Sequence, residues 1–376
     1  MNKTMHQMSK PDELRVIIAG GGTGGHVFPA IAIANALKKQ IPAAEILFIG
    51  ALGRMEMQQV PAAGYQIIGL NIAGIQRRLT WKNLLVPFKL LDSMMRSNKI
   101  LKQFKPQLVV GVGGYASAPV VNQAVRQGVP VLIQEQNSYP GITNRMLGRK
   151  AQKICVAYEG MERFFDKSKL ILTGNPVRSD IINLQGKQQE AIHHFGLQPG
   201  KPILLVTGGS LGARSINHAL EKHLPFWVDE GIQVIWQTGI HYLQTAQQAA
   251  RKFEEAVSVN QFIDRMDLAY SAADVIVSRA GAIAISEICI VQKAAILVPS
   301  PYVAEDHQTK NAMALVQHHA AVLVKDHEVE ERLGLVVSDL MRDSQMRIQI
   351  AAKLKGLAFP EAADNIAGVA LNMINY

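Results

Sequence analysis

The sequence predicts an α/β protein of two Rossmann-like domains, each a doubly wound parallel sheet. Three observations carry this. Short β-branched runs alternate with helical stretches along the chain, the order that βαβ units require. A strand feeding a glycine-rich turn and then a helix opens the pattern at Leu14 and recurs at Pro202. The two openings are roughly 190 residues apart, so the pattern restarts rather than enlarging one sheet. Finally, 376 residues are too many for one ordinary hydrophobic core and suit two.

The first strand is expected at Leu14 to Ala19. It enters Gly20-Gly21-Gly22-Thr23-Gly24-Gly25-His26, and a helix follows with Ile31, Ile33, Ala34 and Leu37 at helical spacing. Further strands are expected at Glu45 to Ile49 and around Gln66 to Leu70. Two more lie at Leu108 to Val112, before Gly113-Gly114-Tyr115, and at Val129 to Gln134, before Glu135-Gln136-Asn137. After Gly174-Asn175-Pro176-Val177-Arg178 comes a polar stretch, Asn183 to Glu190, so a linker is expected near 175–195. The first domain then covers 14–177. The second opens with Pro202 to Val206 and Thr207-Gly208-Gly209-Ser210-Leu211-Gly212-Ala213. Its remaining strands are expected at Ile232 to Gln237, Val257 to Phe262, Val275 to Ser278 and Ala295 to Pro299.

Hydrophobic residues at 48% and charged residues at 18% describe a globular chain rather than a disordered one. Cys155 and Cys289 lie far apart in apolar runs, which gives neither a disulfide framework nor metal-ligand spacing and fits a reducing compartment. Met1 to Asp12 lack the apolar core of a signal peptide and read as a frayed tail. No stretch approaches the ~18 consecutive apolar residues of a spanning helix, so an integral membrane protein is not expected. The formal charge of +9 asks for anionic company: phosphates, nucleic acid or an acidic lipid surface.

The glycine loops at 20–25, 113–114 and 208–212 are candidate anion sites. Glycine lets the backbone approach closely, and a helix N-terminus offers free N–H groups and a favourable dipole. For any one loop, a tight turn needed only for packing is an equal explanation. Three at the carboxyl ends of strands, in two domains, point to a cleft that receives phosphates on both partners of a reaction. Gly20, Gly22 and Gly25 also spell the dinucleotide fingerprint, but the second strand ends Phe48-Ile49-Gly50-Ala51-Leu52-Gly53 without the ribose-binding acid. That argues against a dehydrogenase, and no loop ends in the Gly-Lys-Ser/Thr of a nucleotide triphosphate loop. His26, directly after the first loop, is either an N-terminal hydrogen-bonder or a general base. A helix N-terminus disfavours positive charge, so an imidazole there can stay neutral and accept a proton.

Gly21-Gly22-Thr23-Gly24-Gly25-His26-Val27-Phe28-Pro29-Ala30 closely resembles the opening signature of the MurG family of peptidoglycan glycosyltransferases. The resemblance continues through Gly111-Val112-Gly113-Gly114-Tyr115, Glu135-Gln136-Asn137 and Gly174-Asn175-Pro176-Val177-Arg178. It resumes at Gly208-Gly209-Ser210-Leu211-Gly212-Ala213, Phe262-Ile263, Ser286-Glu287 and Asp306-His307-Gln308 with Asn311-Ala312, spanning roughly residues 14 to 312 in family order. It implies a GT-B type fold with the second domain over 178–357 and the last stretch, 358–376, packed back on the first.

The implied reaction is inverting transfer of N-acetylglucosamine from UDP-N-acetylglucosamine to the muramoyl-pentapeptide of lipid I, an undecaprenyl-diphosphate-linked acceptor, giving lipid II. Donor contacts would come from Thr23, Gly24, Gly25, Asn137, Arg178, Ser210, Ile263, Glu287 and Gln308. In that assignment Ser210 and Arg178 meet the diphosphate, Ile263 offers backbone hydrogen bonds to the uracil edge, and Glu287 accepts from the ribose hydroxyls. Gln308 and Asn137 address the sugar. His26 would take the proton of the attacking hydroxyl or organise its loop, and Gly22, Gly113, Gly114 and Tyr115 would line the acceptor diphosphate. No Asp-x-Asp motif occurs, so no metal and no other cofactor is expected. Three positions depart from the family pattern. Gln134 stands where histidine is common, Leu211 where glutamine is frequent and Ala280 where serine is.

Residues 75–105 carry Arg77, Arg78, Lys82, Lys89, Arg96, Lys99, Lys102 and Lys105 against Asp92. Ile75, Leu79, Trp81, Leu84, Leu85 and Phe88 lie between them. Such interleaving reads as an interfacial patch on an anionic membrane, expected chiefly over Ile75 to Leu85. The competing reading turns the stripe Leu84, Phe88, Leu91 and Met95 toward the protein's own core, and periodicity favours it from Leu91 onward. Nucleic acid lacks a recognition motif here and is not expected. The expected place is therefore peripheral, on the cytoplasmic face of the inner membrane, with other cell-wall synthesis proteins as further partners. Alternatives that keep the fold are a transferase with another lipid acceptor such as diacylglycerol, a nucleotide-sugar epimerase, and a non-enzymatic nucleotide-sugar-binding protein.

Overall fold

A computed structural model of the chain describes residues 14–72 and 86–376. The chain divides into two compact units. One comprises the described residues up to Gln136, with Pro140–Pro176 and Glu361–Tyr376; the other comprises Asn137–Tyr139 and Val177–Pro360.

The first unit is a seven-stranded parallel sheet: β1 (Arg15–Gly20), β2 (Glu45–Ala51), β3 (Gln66–Leu70), β4 (Leu108–Gly113), β5 (Val131–Glu135), β6 (Lys153–Val156) and β7 (Leu170–Leu172). Their spatial order is β3-β2-β1-β4-β5-β6-β7. The alternation of β1 explains the layering. Val16 and Ile18 point into one core with Val27, Ile33 and Leu37 of the helix Gly24–Gln40, while Ile17 and Ala19 point into the other with Val121 and Leu147. The helix Ala362–Asn372 closes the first of these cores with Ile366, Ala367, Ala370 and Leu371. Lys39 meets Asp364 at 2.9 Å beside it.

The second unit is a six-stranded parallel sheet of β8 (Ile203–Thr207), β9 (Gln233–Gln237), β10 (Val257–Asn260), β11 (Val275–Ser278), β12 (Ala294–Leu297) and β13 (Val322–Leu323), ordered β10-β9-β8-β11-β12-β13. Counted within itself that is 3-2-1-4-5-6, the Rossmann order, and the first unit is the same order with one strand added. In both sheets the strand order reverses beside the first strand, between β1 and β4 and between β8 and β11. Ligands of open α/β sheets bind outside the carboxyl ends of the strands at that reversal. The glycine loops 20–23, 113–114 and 208–212 leave from those ends.

Several elements differ from the sequence reading. Strands β6, β7 and β13 are additional to those expected; β7 and β13 hold three and two residues, too short for a periodic signal. Strand β5 starts at Val131 rather than Val129 because Pro130 has no N–H for the ladder. The stretch 175–195 is not a free linker. Ile181, Ala191 and Phe195 are buried in the second core, so from Val177 the chain already belongs to that unit. Asn137–Tyr139, expected with the first domain, belong to the second unit, and the return to the first falls at Glu361.

Candidate functional site

In the first unit, the loop after β1 leads into a helix whose N-terminus is left open. Thr23 is its N-cap but makes no side-chain capping bond, and no acid lies in the first turn. Gly22 through Gly25 are therefore backbone groups at an uncapped positive helix end. Gly22 has φ 95°, and its N–H donates to Glu56 Oε2 at 2.9 Å. Glu56 Oε1 accepts from Ala51 N at 3.0 Å, and the side chain is buried. The carboxylate whose absence from the end of β2 argued against a dinucleotide thus lies a few residues on, under the loop, engaged with the backbone.

The loop after β4 fits against the first. A Cβ at Gly114 would sit 2.3 Å from Gly21 O, and one at Gly113 would sit 2.9 Å from His26 Cε1. Both have positive φ, 82° and 95°, so both are needed for close approach, the packing explanation of a glycine loop. Ser117, unmarked by the sequence reading, ties the loops together. Its Oγ lies 2.8 Å from Ala19 O and accepts from Gly113 N at 3.1 Å. Tyr115 is exposed.

His26 Nδ1 lies 3.2 Å from Gln136 Oε1. Gln136 Nε2 donates to Val112 O at 2.7 Å and to Gln134 Oε1. Gln134 Nε2 donates to Asn175 Oδ1 at 3.0 Å, and Asn175 Nδ2 donates to Gln136 O at 3.0 Å. All three amides are buried. Gln134 is a member of this amide chain.

In the second unit, the loop after β8 leads to the helix Arg214–Asp229, whose N-cap is Ala213 and whose first turn again has no acid. Ser210 and Leu211 are exposed on this loop. Gln237, at the end of β9, holds it. Its Nε2 donates to Gly209 O at 3.0 Å and to Thr207 Oγ1 at 3.1 Å, while its Oε1 accepts from Ile263 N at 2.9 Å. Gln237 thereby connects Ile263 to the Ser210 loop, and the Ile263 N–H is engaged within the protein.

Arg178 Nε meets Glu287 Oε1 at 3.4 Å, and Tyr270 donates its hydroxyl to Glu287 Oε2 at 2.9 Å. Glu287 is buried rather than a solvated helix carboxylate; that burial pushes its pKa up, against the pull of Arg178 and Tyr270. Burial also raises the Tyr270 hydroxyl well above its ordinary range. Gln308 Oε1 accepts from Ser300 N at 2.8 Å, which turns its amide N–H groups away from that backbone. Asn311, on the same helix His307–Val316, donates to Asn137 Oδ1 at 3.2 Å and accepts from Ser138 N and Oγ at 3.0 Å.

The predicted patch residues Ile75, Arg77, Arg78, Leu79, Trp81, Lys82 and Leu85 lie outside the described residues. The helix Val86–Phe104 that follows corrects one expectation. Phe88, Leu91 and Met95 are 72%, 57% and 60% exposed, so their stripe does not face the protein's own core. Ser93, Ser97 and Leu101 form the buried face instead, and the two serines are small enough to let the helix lie close to its neighbour. Among the described residues no helix is long and apolar enough to cross a membrane, and no group of His, Cys, Asp and Glu is arranged to hold a metal ion.

Two glycine-loop switch points on one chain call for comparison with known proteins. Residues 16–156 match the glycosyltransferase family 28 N-terminal domain and residues 203–366 its C-terminal domain. The chain belongs to glycosyltransferase family 28. Family 28 relatives align over nearly the whole length. A protein of Phocaeicola vulgatus named UDP-N-acetylglucosamine–N-acetylmuramyl-(pentapeptide) pyrophosphoryl-undecaprenol N-acetylglucosamine transferase is 53% identical over 358 residues, 95% of either chain. One of the same name from Flavobacterium psychrophilum is 48% identical over 363 residues, 96% of this chain and 98% of that one. The crystal structure of Acinetobacter baumannii MurG matches with a TM-score of 0.77 at 30% identity, over 96% of this chain and 100% of that one. The two parallel-sheet units are therefore those of a GT-B glycosyltransferase. A Neisseria meningitidis UDP-GlcNAc 2-epimerase shares the fold at a TM-score of 0.69 and 14% identity, over 96% of this chain and 100% of that one, a likeness of fold alone.

Proposed function

We propose that this chain transfers N-acetylglucosamine from UDP-N-acetylglucosamine to the muramoyl-pentapeptide of lipid I, giving lipid II for peptidoglycan synthesis. The observation that carries this is near-full-length identity of about half to relatives named for that transfer. The acceptor hydroxyl oxygen attacks the anomeric carbon opposite the leaving group and inverts it. The bond from that carbon to the diphosphate oxygen breaks, its electron pair leaves with UDP, and the hydroxyl proton passes to His26.

Each unit contributes chemistry that fits. In the second, Ser210, the open N-terminus of the helix Arg214–Asp229 and the Arg178 guanidinium meet the diphosphate and the charge that grows as UDP leaves. No divalent metal is required in this reading. Glu287, held between Arg178 and Tyr270, retains lone pairs to accept from ribose hydroxyls. With the Ile263 N–H given to Gln237, the uracil edge falls to the Ile263 carbonyl. Gln308 and Asn137 address the sugar. In the first unit, Thr23, Gly24 and Gly25 contribute amides to the donor, and the loops at Gly22 and at Gly113, Gly114 and Tyr115 shape the approach of the acceptor diphosphate.

The acceptor is lipid-linked, so we place the enzyme peripherally on the cytoplasmic face of the inner membrane. Exposed Phe88, Leu91 and Met95 on a helix that also carries Lys89, Arg96, Lys99 and Lys102 support contact with anionic lipid. Incubation with radiolabelled UDP-N-acetylglucosamine and a lipid I analogue tests the transfer, with label expected in the lipid product. Release of free UDP without incorporation, or no turnover at all, would refute the transfer. His26→Ala should lower turnover far more than donor affinity; weakened donor binding alone would remove histidine from the role of base.

A further inference from the structure

We infer that Gln136 is a positioning residue that fixes the tautomer of His26, so that Nδ1 carries the ring proton and Nε2 presents the basic lone pair. The inference rests on the proposal that His26 is the base and adds which nitrogen acts and what selects it.

Two backbone carbonyls, whose oxygens can only accept, fix the orientation of the amide chain. Asn175 turns its amide nitrogen to Gln136 O at 3.0 Å, so its Oδ1 must face Gln134. Gln134 therefore presents Nε2 to Asn175, at 3.0 Å, and its Oε1 to Gln136. At the other end, Val112 O lies 2.7 Å from Gln136 Nε2. Both neighbours of that nitrogen are acceptors, so both of its protons are engaged and Gln136 Oε1 is what faces His26 Nδ1, 3.2 Å away. Flipping any one amide would set oxygen against oxygen or N–H against N–H in a buried chain, where an unmet polar group costs most.

An amide oxygen cannot donate, so the neutral ring must donate from Nδ1, which leaves the lone pair on Nε2. Gly113 makes room for the ring on one side, since a Cβ there would come within 2.9 Å of Cε1 and 3.1 Å of Nδ1. The arrangement parallels a carboxylate orienting a catalytic histidine, with a neutral amide in place of the charge. A neutral partner selects the tautomer without favouring the protonated ring as strongly as a carboxylate would.

Long-range proton–nitrogen NMR correlation on full-length protein labelled with 15N-histidine reads the tautomer directly. The His26 signals are assigned by their loss in His26→Gln. A protonated Nδ1 with a pyridine-type Nε2 is expected for the neutral ring. Gln136→Met, close in shape and without the amide, should mix the tautomers. It should lower turnover on the lipid I analogue by roughly 10- to 100-fold, with KM for UDP-N-acetylglucosamine moving less than about twofold. A protonated Nε2 in the wild type overturns the inference, and so does unchanged turnover in Gln136→Met. Should that variant fail to fold, the wild-type spectrum alone decides. A wild type with the expected tautomer but no transfer to lipid I would sustain this assignment and refute the proposed reaction.

Discussion

Replacing Glu56 with glutamine asks how much the first glycine loop depends on the carboxylate beneath it. Its two oxygens accept from Gly22 N at 2.9 Å and Ala51 N at 3.0 Å, and the side chain is 1% exposed. Glutamine keeps the shape but turns one acceptor into a donor, so one of those N–H groups meets another N–H. A charge-assisted hydrogen bond contributes roughly 1.5–3 kcal/mol and a neutral one about 1, so losing one bond and weakening the other costs roughly 2–5 kcal/mol. Relief of the buried charge returns part of that, leaving about 2–3 kcal/mol. Because the loss is local to the loop, hydrogen exchange with mass spectrometry is the suitable assay. Exchange in peptides spanning 20–26 should quicken by roughly 30- to 150-fold. Turnover should fall, and donor affinity should weaken with it, because Thr23, Gly24 and Gly25 of this loop are proposed donor contacts. Exchange within about threefold of wild type would refute the claim that Glu56 holds the loop.

Gly212 and Gly209 separate crowding from backbone strain. A Cβ at Gly212 would lie 2.0 Å from Thr238 O at φ 77°, whereas Gly209, at φ 85°, has open space. Gly212→Ala should cost more than about 3 kcal/mol and Gly209→Ala about 1 kcal/mol, read from melting of the second unit; equal costs would contradict the geometry. Arg265, donating to Asp267, and Lys187 beside it hold that buried carboxyl well below the ordinary range. A depressed carboxyl stabilises the fold above its unfolded pKa, near ~3.9, and loses that contribution as pH falls through the folded value. Asp267→Asn should therefore cost about 2 kcal/mol at neutral pH and progressively less in acid, measured by denaturation across pH. Burial pushes the thiols of Cys155 and Cys289 up to about 12, so neither should react with an exposed-thiol reagent until the protein unfolds.

The doubly wound architecture was legible because the longer strands carry continuous apolar runs, as Leu204-Leu205-Val206 does in β8. Strands β7 and β13 were not, since two or three residues become a strand only by docking on an edge the rest of the fold supplies. The polar run before Glu190 hid Ile181, Ala191 and Phe195, because one buried face of a short helix leaves little trace among charged neighbours. The stripe Leu91 and Met95 misled for the opposite reason. Apolar periodicity identifies a face but not what covers it, and here serines are the residues turned inward. At the site, the glycine positions could be read in the sequence, but not that Gly113 makes room for an imidazole or Gly114 for Gly21 O. Gln136, Gln134 and Asn175 form a chain of neutral amides, which hydropathy and charge do not register, and Gln237 escaped notice for the same reason.

The helix Ala362–Asn372 makes the first unit discontinuous in the chain: it is begun before residue 177 and finished after residue 360. During synthesis its sheet must wait for the whole second unit to emerge before Ile366 and Leu371 can cover Leu37 and its neighbours. Until then an apolar strip beside the His26 helix stays open to solvent or to a chaperone. A chain cut before Ile366 would leave two complete sheets and one unsealed core.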